Sequence, residues 1–316
     1  MSEPTARTDA PSAVDLDVHL LQDPPRIAPL FARAVATSRG RAGAGGELPR
    51  RRVMLTEVEQ DVARLAEYAE VTGGTLSDRL PTTWLHVLTF PLQVELMADK
   101  AFPFPMVGMV HVSNSMTQHR PVLVGESLTL SSWADNLAPH RKGTTVDLVG
   151  EARVGEQVVW EGRSTYLVRG ESQGPQDQQG DDADQAQLGG DAGPVQEQRH
   201  DIPDTQLALW RLPAGLGRDY AKVSGDANPI HLTALTAKAL GFPRAIAHGM
   251  WTHARALAAV QPRLPETFTV DARFVKPVLL PSTVVLRGGV QPSGGALAVT
   301  SRDGERVHMT MQVHPG

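Results

Sequence analysis

The 316-residue chain contains no cysteine. Disulfide bonds, thiolate metal sites and a cysteine nucleophile are therefore excluded. The chain also lacks any apolar run long enough to cross a membrane, and its polar, acidic first segment lacks the basic start and apolar middle of a signal peptide. We expect a cytoplasmic protein that does not insert into membranes.

The chain has no excess of positive charge, since its net charge is −5. This balance gives no support for a nucleic-acid partner. Much of the negative charge is local, because residues 171–197 contain seven acids and no base. The remainder of the chain is slightly basic.

The length predicts two domains, each able to bury its own core. We expect a disordered tail over 1–14 and a first domain over 15–170. A segment rich in Gln, Asp and Gly, residues 171–198, is predicted to be a disordered linker. The second domain is expected over 199–316.

The stretch 220–231 carries the first chemical signal. Asn228 is a good helix N-cap, and proline follows it at the first helical position, where no N–H is needed. The apolar spacing predicts one helix up to Leu240. Asp226 lies just before this helix and His231 in its first turn, so their side chains can converge on one water molecule.

A second helix is predicted to begin after His248 and Gly249 and to end before Pro262. Glycine leaves the backbone N–H at this helix N-terminus open to a ligand, where it can stabilise an oxygen that gains negative charge. With Asp226, His231 and the Asn228 amide, the parts suit acid–base chemistry beside an enolate.

Each of these features alone is common in purely structural turns, but the combined spacing is restrictive. Gly-Asp-x-Asn-Pro-x-His followed by Ala-His-Gly-Met resembles the signature of MaoC-like (R)-specific enoyl-thioester hydratases, in their double-hotdog 3-hydroxyacyl-thioester dehydratase branch. The resemblance implies an α+β fold of two hotdog domains, each an antiparallel sheet wrapped around a long helix. The two domains would pair as an intramolecular pseudo-dimer.

Two blocks of the sequence repeat in the same order, which indicates an internal duplication. Residues 68–74 match 220–226 at an offset of 152, and 120–130 match 276–286 at an offset of 156. In this alignment Gly74 and Arg79 take the positions of Asp226 and His231. The first copy would therefore lack the catalytic pair.

The two copies also differ in the spacing after this block. Asp226 and His248 are 22 residues apart, whereas Gly74 and His86, taken as the counterpart of His248, are 12 apart. The first copy is predicted to lack a small helix and to leave a void there.

That void is predicted to lie over a long apolar helix, 84–97, with a kink at Pro91. Trp84, Val87 and Leu88 would line a pocket for a fatty acyl chain. The alternative is that these side chains fill the core. For His248, the interpretation that it shapes the turn before the second helix is favoured over lining the pocket.

Alternation of apolar and polar residues predicts eight half-buried antiparallel strands. They are 107–115, 126–133, 144–154, 157–168, 268–275, 282–288, 296–301 and 307–313. Gly155 and Gly304 are predicted to lie in hairpin turns between them. A short helix is expected over 27–36.

The resemblance implies reversible hydration of a trans-2-enoyl thioester, carried by coenzyme A or acyl carrier protein, to the (3R)-3-hydroxyacyl thioester. Asp226 and His231 would hold the water, Asn228 would orient the water or Asp226, and Gly249 N–H would stabilise the thioester oxygen. No cofactor is expected. A homodimer is possible.

Other interpretations stay open. A hotdog thioesterase would hydrolyse the same substrates, and a non-catalytic subunit would bind acyl carriers without turnover. A metal site is the least favoured, although four side chains are of metal-binding type: Asp226, His231, His248 and His253. The triplet Arg50–Arg52 is either a solvated basic patch or a contact with a phosphorylated carrier.

Overall fold

The computed structural model describes residues 16–37, 40–170 and 204–316. The predicted tail over 1–14 and the predicted linker over 171–198 lie outside the described residues. The domain boundaries placed at those segments therefore stay predictions.

Strands dominate both halves of the chain. The strands are β1 (Asp17–Leu21), β2 (Arg51–Val58), β3 (Val110–Gln118), β4 (Leu128–His140), β5 (Gly143–Val154), β6 (Gln157–Arg169), β7 (Gln206–Leu212), β8 (Phe268–Phe274), β9 (Ser282–Gln291), β10 (Gly294–Ser301) and β11 (Val307–Pro315). The helices are α1 (Ile27–Ala36), α2 (Val62–Thr72), α3 (Thr82–Ala98), α4 (Leu216–Ser224), α5 (Pro229–Leu232), α6 (Ala234–Ala239) and α7 (Gly249–Val260). All eight predicted strands and the predicted helix α1 are confirmed, whereas β1, β2 and β7 were not predicted.

The strands form one eleven-stranded sheet in the order β1-β2-β4-β5-β6-β3-β8-β11-β10-β9-β7. From β2 to β7 this order is symmetric about the β3–β8 junction, so each half repeats the same five-strand pattern. Every neighbouring pair is antiparallel except β1 and β2. The predicted double hotdog is confirmed.

The two halves are joined through backbone, side chains and a shared core. At the β3–β8 junction the hydroxyls of Thr117 and Thr269 hydrogen-bond at 2.9 Å. The buried helices α3 and α7 pack into one continuous apolar cluster that draws on both halves. Trp251 also donates its indole N–H to the carbonyl of Val71 at 2.9 Å. The cavity described below is lined from both sides of this interface.

Turn chemistry explains where the hairpins close. Gly155 and Gly304 have φ values of 55° and 76°, in the left-handed region that glycine adopts without steric cost. They lie between β5 and β6 and between β10 and β11, respectively. Both predicted hairpins are confirmed.

The predicted single helix from Pro229 to Leu240 is wrong in one respect. Thr233 has extended backbone angles and separates α5 from α6. Its hydroxyl accepts a hydrogen bond from Thr236 N–H at 3.1 Å, so it caps a new helix instead of continuing the old one. Leu235, one of the apolar residues whose spacing predicted the single helix, is 79% exposed.

The duplication is visible in equivalent hydrogen bonds, and these correct the alignment. Leu80 N–H donates to Val122 at 2.8 Å, and Ala247 N–H donates to Val278 at 2.9 Å. The residue before each donor forms a β-bridge with the residue after each acceptor: Arg79 with Leu123 and Ile246 with Leu279. Arg79 is therefore the counterpart of Ile246, and its assignment to the position of His231 is wrong.

The same equivalence moves the counterpart of His248. Pro81 precedes α3 as His248 precedes α7, so Pro81 is the counterpart and His86 matches His253. Gly74 and Pro81 are seven residues apart, against the 22 of the second copy. The first copy is thus even shorter here than the sequence comparison indicated.

Among the residues that the structure describes, no helix combines the length and apolar character needed to cross a membrane.

Candidate active site

A chain of short-range caps fixes Asp226 between α4 and α5. The helix α4 ends at Gly225, whose φ of 81° is left-handed. Asp226 N–H donates to Ser224 Oγ at 3.2 Å, and Asp226 Oδ1 accepts from Asn228 N–H at 3.2 Å. The Asn228 side chain in turn caps α5 by accepting from Ile230 N–H. The carboxylate is thereby held rigidly, with its side chain 28% exposed.

His231 is a buried side chain with a defined tautomer. Its Nδ1 lies 2.8 Å from the carbonyl oxygen of Ile246. A carbonyl only accepts hydrogen bonds, so Nδ1 carries the proton and Nε2 keeps a free lone pair. Burial, together with the nearby His248, lowers the pKa of His231 to about 3, and Asp226 opposes both effects. His231 is therefore neutral at pH 7.

His248 stacks on His231, with ring centroids 3.6 Å apart and an interplanar angle of 25°. Its Nε2–H donates to the backbone carbonyl of Asp226 at 2.9 Å. Burial lowers its pKa to about 4, so it too is neutral at pH 7. His248 thus ties the Asp226 loop to the start of α7, and it also lines the cavity.

Burial shifts the pKa of the Asp226 carboxyl in the direction opposite to that of the two imidazoles. Its burial raises the pKa, while the neighbouring His231 and the Asn228 N–H lower it. A carboxylate oxygen of Asp226 and one ring nitrogen each of His231 and His248 lie within 4.8 Å of one another. Groups this close titrate as a unit.

Gly249 is the first residue of α7 and lines the same cavity. Its N–H belongs to the helix N-terminus, where donors lack partners within the helix and favour negative charge. A Cβ atom at this position would lie 3.0 Å from the ring of Phe274. A larger residue would therefore press on this aromatic ring as well as on any ligand at the N–H.

These groups line one end of a cavity of about 440 Å³. The first half of the chain contributes His111 and Tyr166 to its wall, although the other site residues belong to the second half. Their rings stack with centroids 4.6 Å apart, and His111 also contacts Phe274 edge-on at 5.0 Å. The cavity thus requires both halves.

Comparison with known proteins decides the family. Residues 201–303 match the family described as MaoC like domain. The 3-hydroxyacyl-thioester dehydratase X of Mycobacterium tuberculosis is 36% identical over 267 residues, which cover 84% of this chain and 90% of that protein.

The chain belongs to the MaoC-like dehydratase family.

Solved structures agree with this assignment. The crystal structure of HtdX from Mycobacterium tuberculosis superposes with a TM-score of 0.70 at 33% identity, covering 84% of this chain and 100% of that one. A MaoC-like dehydratase from Phytophthora capsici has a TM-score of 0.62 at 17% identity, covering 86% and 96%. This second likeness is one of fold alone.

The MaoC-like motif brings together all four residues predicted to be catalytic. Asp226, Asn228, His231 and Gly249 all line the cavity, as does the predicted substrate contact His248. For His248, shaping the turn was favoured over lining the pocket. The structure shows that it does both. The roles of these residues stay proposals.

Tyr166 and His111 were missed by sequence reasoning. They lie far apart in the sequence and meet only because β3 and β6 pair with these two residues in register. Burial raises the pKa of Tyr166, and the charge of Asp226 in the same cavity raises it further. The alternation of β6 was the only signal that pointed Tyr166 inward.

The residues predicted to line the acyl pocket lie elsewhere. Trp84 is fully buried, and its indole N–H donates to Gln60 Oε1 at 2.9 Å. Val87 is buried in the same core and Leu88 packs against it. None of the three lines either described cavity, so the alternative of core filling describes them.

The physical reason is the position of the shortened segment. A second cavity of about 480 Å³ lies beside Gly74 and the start of α3. The equivalent place in the second half holds the residues predicted to be catalytic. The shortening opens space at the N-terminal end of α3, beside Thr82 and Thr83. Neither described cavity is lined by residues 84–98, the remainder of that helix.

Of the four side chains of metal-binding type, the structure brings three together: Asp226, His231 and His248. His253 is the exception, since it is fully buried and neither of its ring nitrogens has a partner within the described residues. In the remaining trio, His231 Nδ1 and His248 Nε2 both donate to backbone carbonyls. One nitrogen of each ring is thereby unavailable to a cation.

Proposed function

We propose that this chain catalyses the reversible hydration of trans-2-enoyl thioesters to (3R)-3-hydroxyacyl thioesters. The observation that carries the proposal is the placement of Asp226, His231 and Gly249 N–H at one end of a cavity large enough for an acyl thioester. Its family relative from Mycobacterium tuberculosis bears the name of a 3-hydroxyacyl-thioester dehydratase.

In the hydration direction, Asp226 and His231 hold one water molecule between them. His231 accepts a hydrogen bond from this water through Nε2, since its Nδ1–H donates to the carbonyl of Ile246. The pair removes a proton from the water as its oxygen bonds to C3, and it returns a proton to C2. Water is thus added across the double bond, and no redox cofactor is required.

Negative charge develops on the thioester oxygen during this addition. Gly249 N–H, at the N-terminus of the twelve-residue helix α7, donates to that oxygen. Tyr166 reaches the catalytic end from the first half and binds the same acyl group through its phenol. Asn228 acts through the loop, because its backbone N–H holds Asp226 Oδ1 while its side chain caps α5.

The acyl tail runs from the catalytic end into the first half. Met109 and Tyr166 line the cavity and also belong to an apolar cluster beneath α1. That cluster includes Phe104 and Met106, and methionine side chains adapt readily to chains of different length. This route replaces the one predicted over Trp84.

The substrate is a thioester of coenzyme A or of acyl carrier protein.

A homodimer is part of the proposal as well. β1 is an edge strand whose Val18 and Leu20 are 60% and 58% exposed, which suits contact with a second copy. Light scattering of the purified chain tests the dimer.

The reaction class is tested with the purified full chain and crotonyl coenzyme A. Loss of the enoyl absorbance without release of free thiol supports hydration. Thiol release at a matching rate would replace it with thioester hydrolysis. Stoichiometric binding without either change would indicate a non-catalytic acyl-carrier-binding subunit.

A further inference from the structure

Two cationic side chains line the catalytic cavity in addition to the residues already described. Arg169 is the last residue of β6 in the first half, and Lys276 follows β8 in the second half. Arg169 is exposed and Lys276 is half-buried. The cavity is therefore flanked by positive charge from both halves of the pseudo-dimer.

Neither cation has an ion-pair partner among the residues that the structure describes. Other arginines of the first half are paired: Arg163 contacts Asp147 at 2.9 Å and Arg120 contacts Glu126 at 2.7 Å. Asp226 is the one carboxylate among the described residues that line the cavity, and the basic side chain within 4.0 Å of it is His248. The two cations are thus left available to an anionic ligand.

The backbone of Lys276 is fixed in place. Val275 N–H donates to the carbonyl of His308 at 2.9 Å, and His308 Nδ1–H donates to the carbonyl of Lys276 at 3.1 Å. His308 lines the cavity too. The backbone that carries the ammonium group is therefore already ordered, so anion binding costs side-chain conformational entropy alone.

Resting on the proposed function, we infer that Arg169 and Lys276 bind a phosphate of the carrier that bears the acyl thioester. An acyl-pantetheine thioester is neutral along its acyl chain and its pantetheine amides. In an acyl coenzyme A, phosphate groups supply all of the negative charge. Arginine matches phosphate oxygens with a planar two-donor fork, and lysine adds a point charge.

Arg51 and Arg52 of the Arg50–Arg52 triplet do not serve this role. Arg51 pairs with Asp99 at 2.6 Å, and Arg52 pairs with Glu151 while covering the Trp133 ring at 4.7 Å. These two side chains are already neutralised by acids of the first half. The alternative of a carrier contact through the triplet is therefore not supported for Arg51 and Arg52.

Two carriers present this chemistry, and a substrate series separates them. Crotonyl thioesters of coenzyme A, 3′-dephospho-coenzyme A, 4′-phosphopantetheine, acyl carrier protein and unphosphorylated pantetheine are compared with wild type, Arg169→Gln and Lys276→Gln. Arg273→Gln is the matched control, since Arg273 is exposed on β8 and does not line the cavity.

Each cavity variant is expected to lose about ten-fold more kcat/KM on phosphorylated substrates than on crotonyl-pantetheine, mainly through KM. Arg273→Gln should match wild type throughout. A loss on all four phosphorylated substrates, with crotonyl-pantetheine spared, assigns the 4′-phosphate that they share. A loss confined to the two coenzyme A forms assigns their diphosphate, and one confined to the full coenzyme assigns its 3′-phosphate.

An equal loss on every substrate, or none, would overturn the inference. If no thioester is hydrated, the proposed function fails, and calorimetric binding of coenzyme A still tests the cations. Wild type should then bind about ten-fold more tightly than either variant, and less tightly as sodium chloride is raised. Equal affinities would overturn the inference independently of turnover.

Discussion

A Cβ atom built on Gly217 would lie 2.0 Å from the carbonyl oxygen of His231. This helix α4 residue therefore lets the first turn of α5 approach α4 more closely than any side chain permits. Gly217 is outside the Gly-Asp-x-Asn-Pro-x-His motif, yet the position of the imidazole depends on it. The catalytic geometry is set by packing as well as by the motif.

Gly217→Ala should displace His231 and lower kcat by about a hundred-fold, since small displacements of a catalytic group have effects of this size. Gly215→Ala is the matched control, because a Cβ there would lie no closer than 3.4 Å to its neighbours. Steady-state kinetics and thermal melting of both variants check the prediction. A Gly217→Ala enzyme with wild-type kcat would contradict the proposed dependence.

Stability should fall in acid because His253 is fully buried and neutral. Burial, with a smaller contribution from His86, lowers its pKa to about 3. The unfolded chain binds a proton near the ordinary pKa of 6.5 and the folded chain does not, so stability is present above pH 6.5 and is lost progressively as pH falls towards 3.

His253→Leu removes this proton-linked loss together with two unpaired ring nitrogens. Between pH 6.5 and 5 the variant should lose about 1–2 kcal/mol less unfolding free energy than wild type, at about 1.36 kcal/mol for each pH unit. Urea unfolding at the two pH values measures the difference. Identical pH slopes for the two proteins would refute the assignment.

Tyr166→Phe should lower kcat/KM by about ten-fold if the phenol binds the acyl group, as loss of one hydrogen bond predicts. Thermal stability should change little, because no described residue hydrogen-bonds to this hydroxyl. Tyr68→Phe is the matched control, since the Tyr68 phenol donates to Thr83 at 2.9 Å and lies outside the catalytic cavity. Equal effects of both changes on turnover would remove Tyr166 from the site.

The acyl route is tested at Met109. Met109→Trp should narrow the passage towards the cluster beneath α1 and reduce kcat/KM for a twelve-carbon enoyl thioester. The four-carbon substrate should be affected much less, because each further buried methylene contributes about 0.8 kcal/mol. A folded variant that handles both lengths like wild type would show that the tail lies elsewhere.

The motif residues were predictable because their arrangement is local. Asp226, Asn228 and His231 lie within one turn and one cap, and Gly249 marks the start of a helix whose stop at Pro262 is also in the sequence. Helix capping and spacing fix such features without tertiary information. The strands followed from alternation for the same reason.

The remaining features depend on distant pairing. Tyr166 and His111 meet through strand register, and Gly217 is required by its contact with the backbone of His231 on another helix. The first-half counterparts were misplaced because a fixed offset cannot locate a deletion. Equivalent hydrogen bonds show that Pro81 is the counterpart of His248.

The central claim is that Asp226 and His231 together add water to the enoyl thioester. Its most direct measurement is the rate and product chirality of crotonyl coenzyme A hydration by wild type, Asp226→Asn and His231→Ala, with Asp219→Asn on helix α4 as the control. Wild type and the control should form the (3R)-hydroxy product, and each site variant should lose a factor of about 10²–10⁴ in kcat while melting as wild type does. Near-wild-type turnover by either folded site variant, or a (3S) product, would contradict the account.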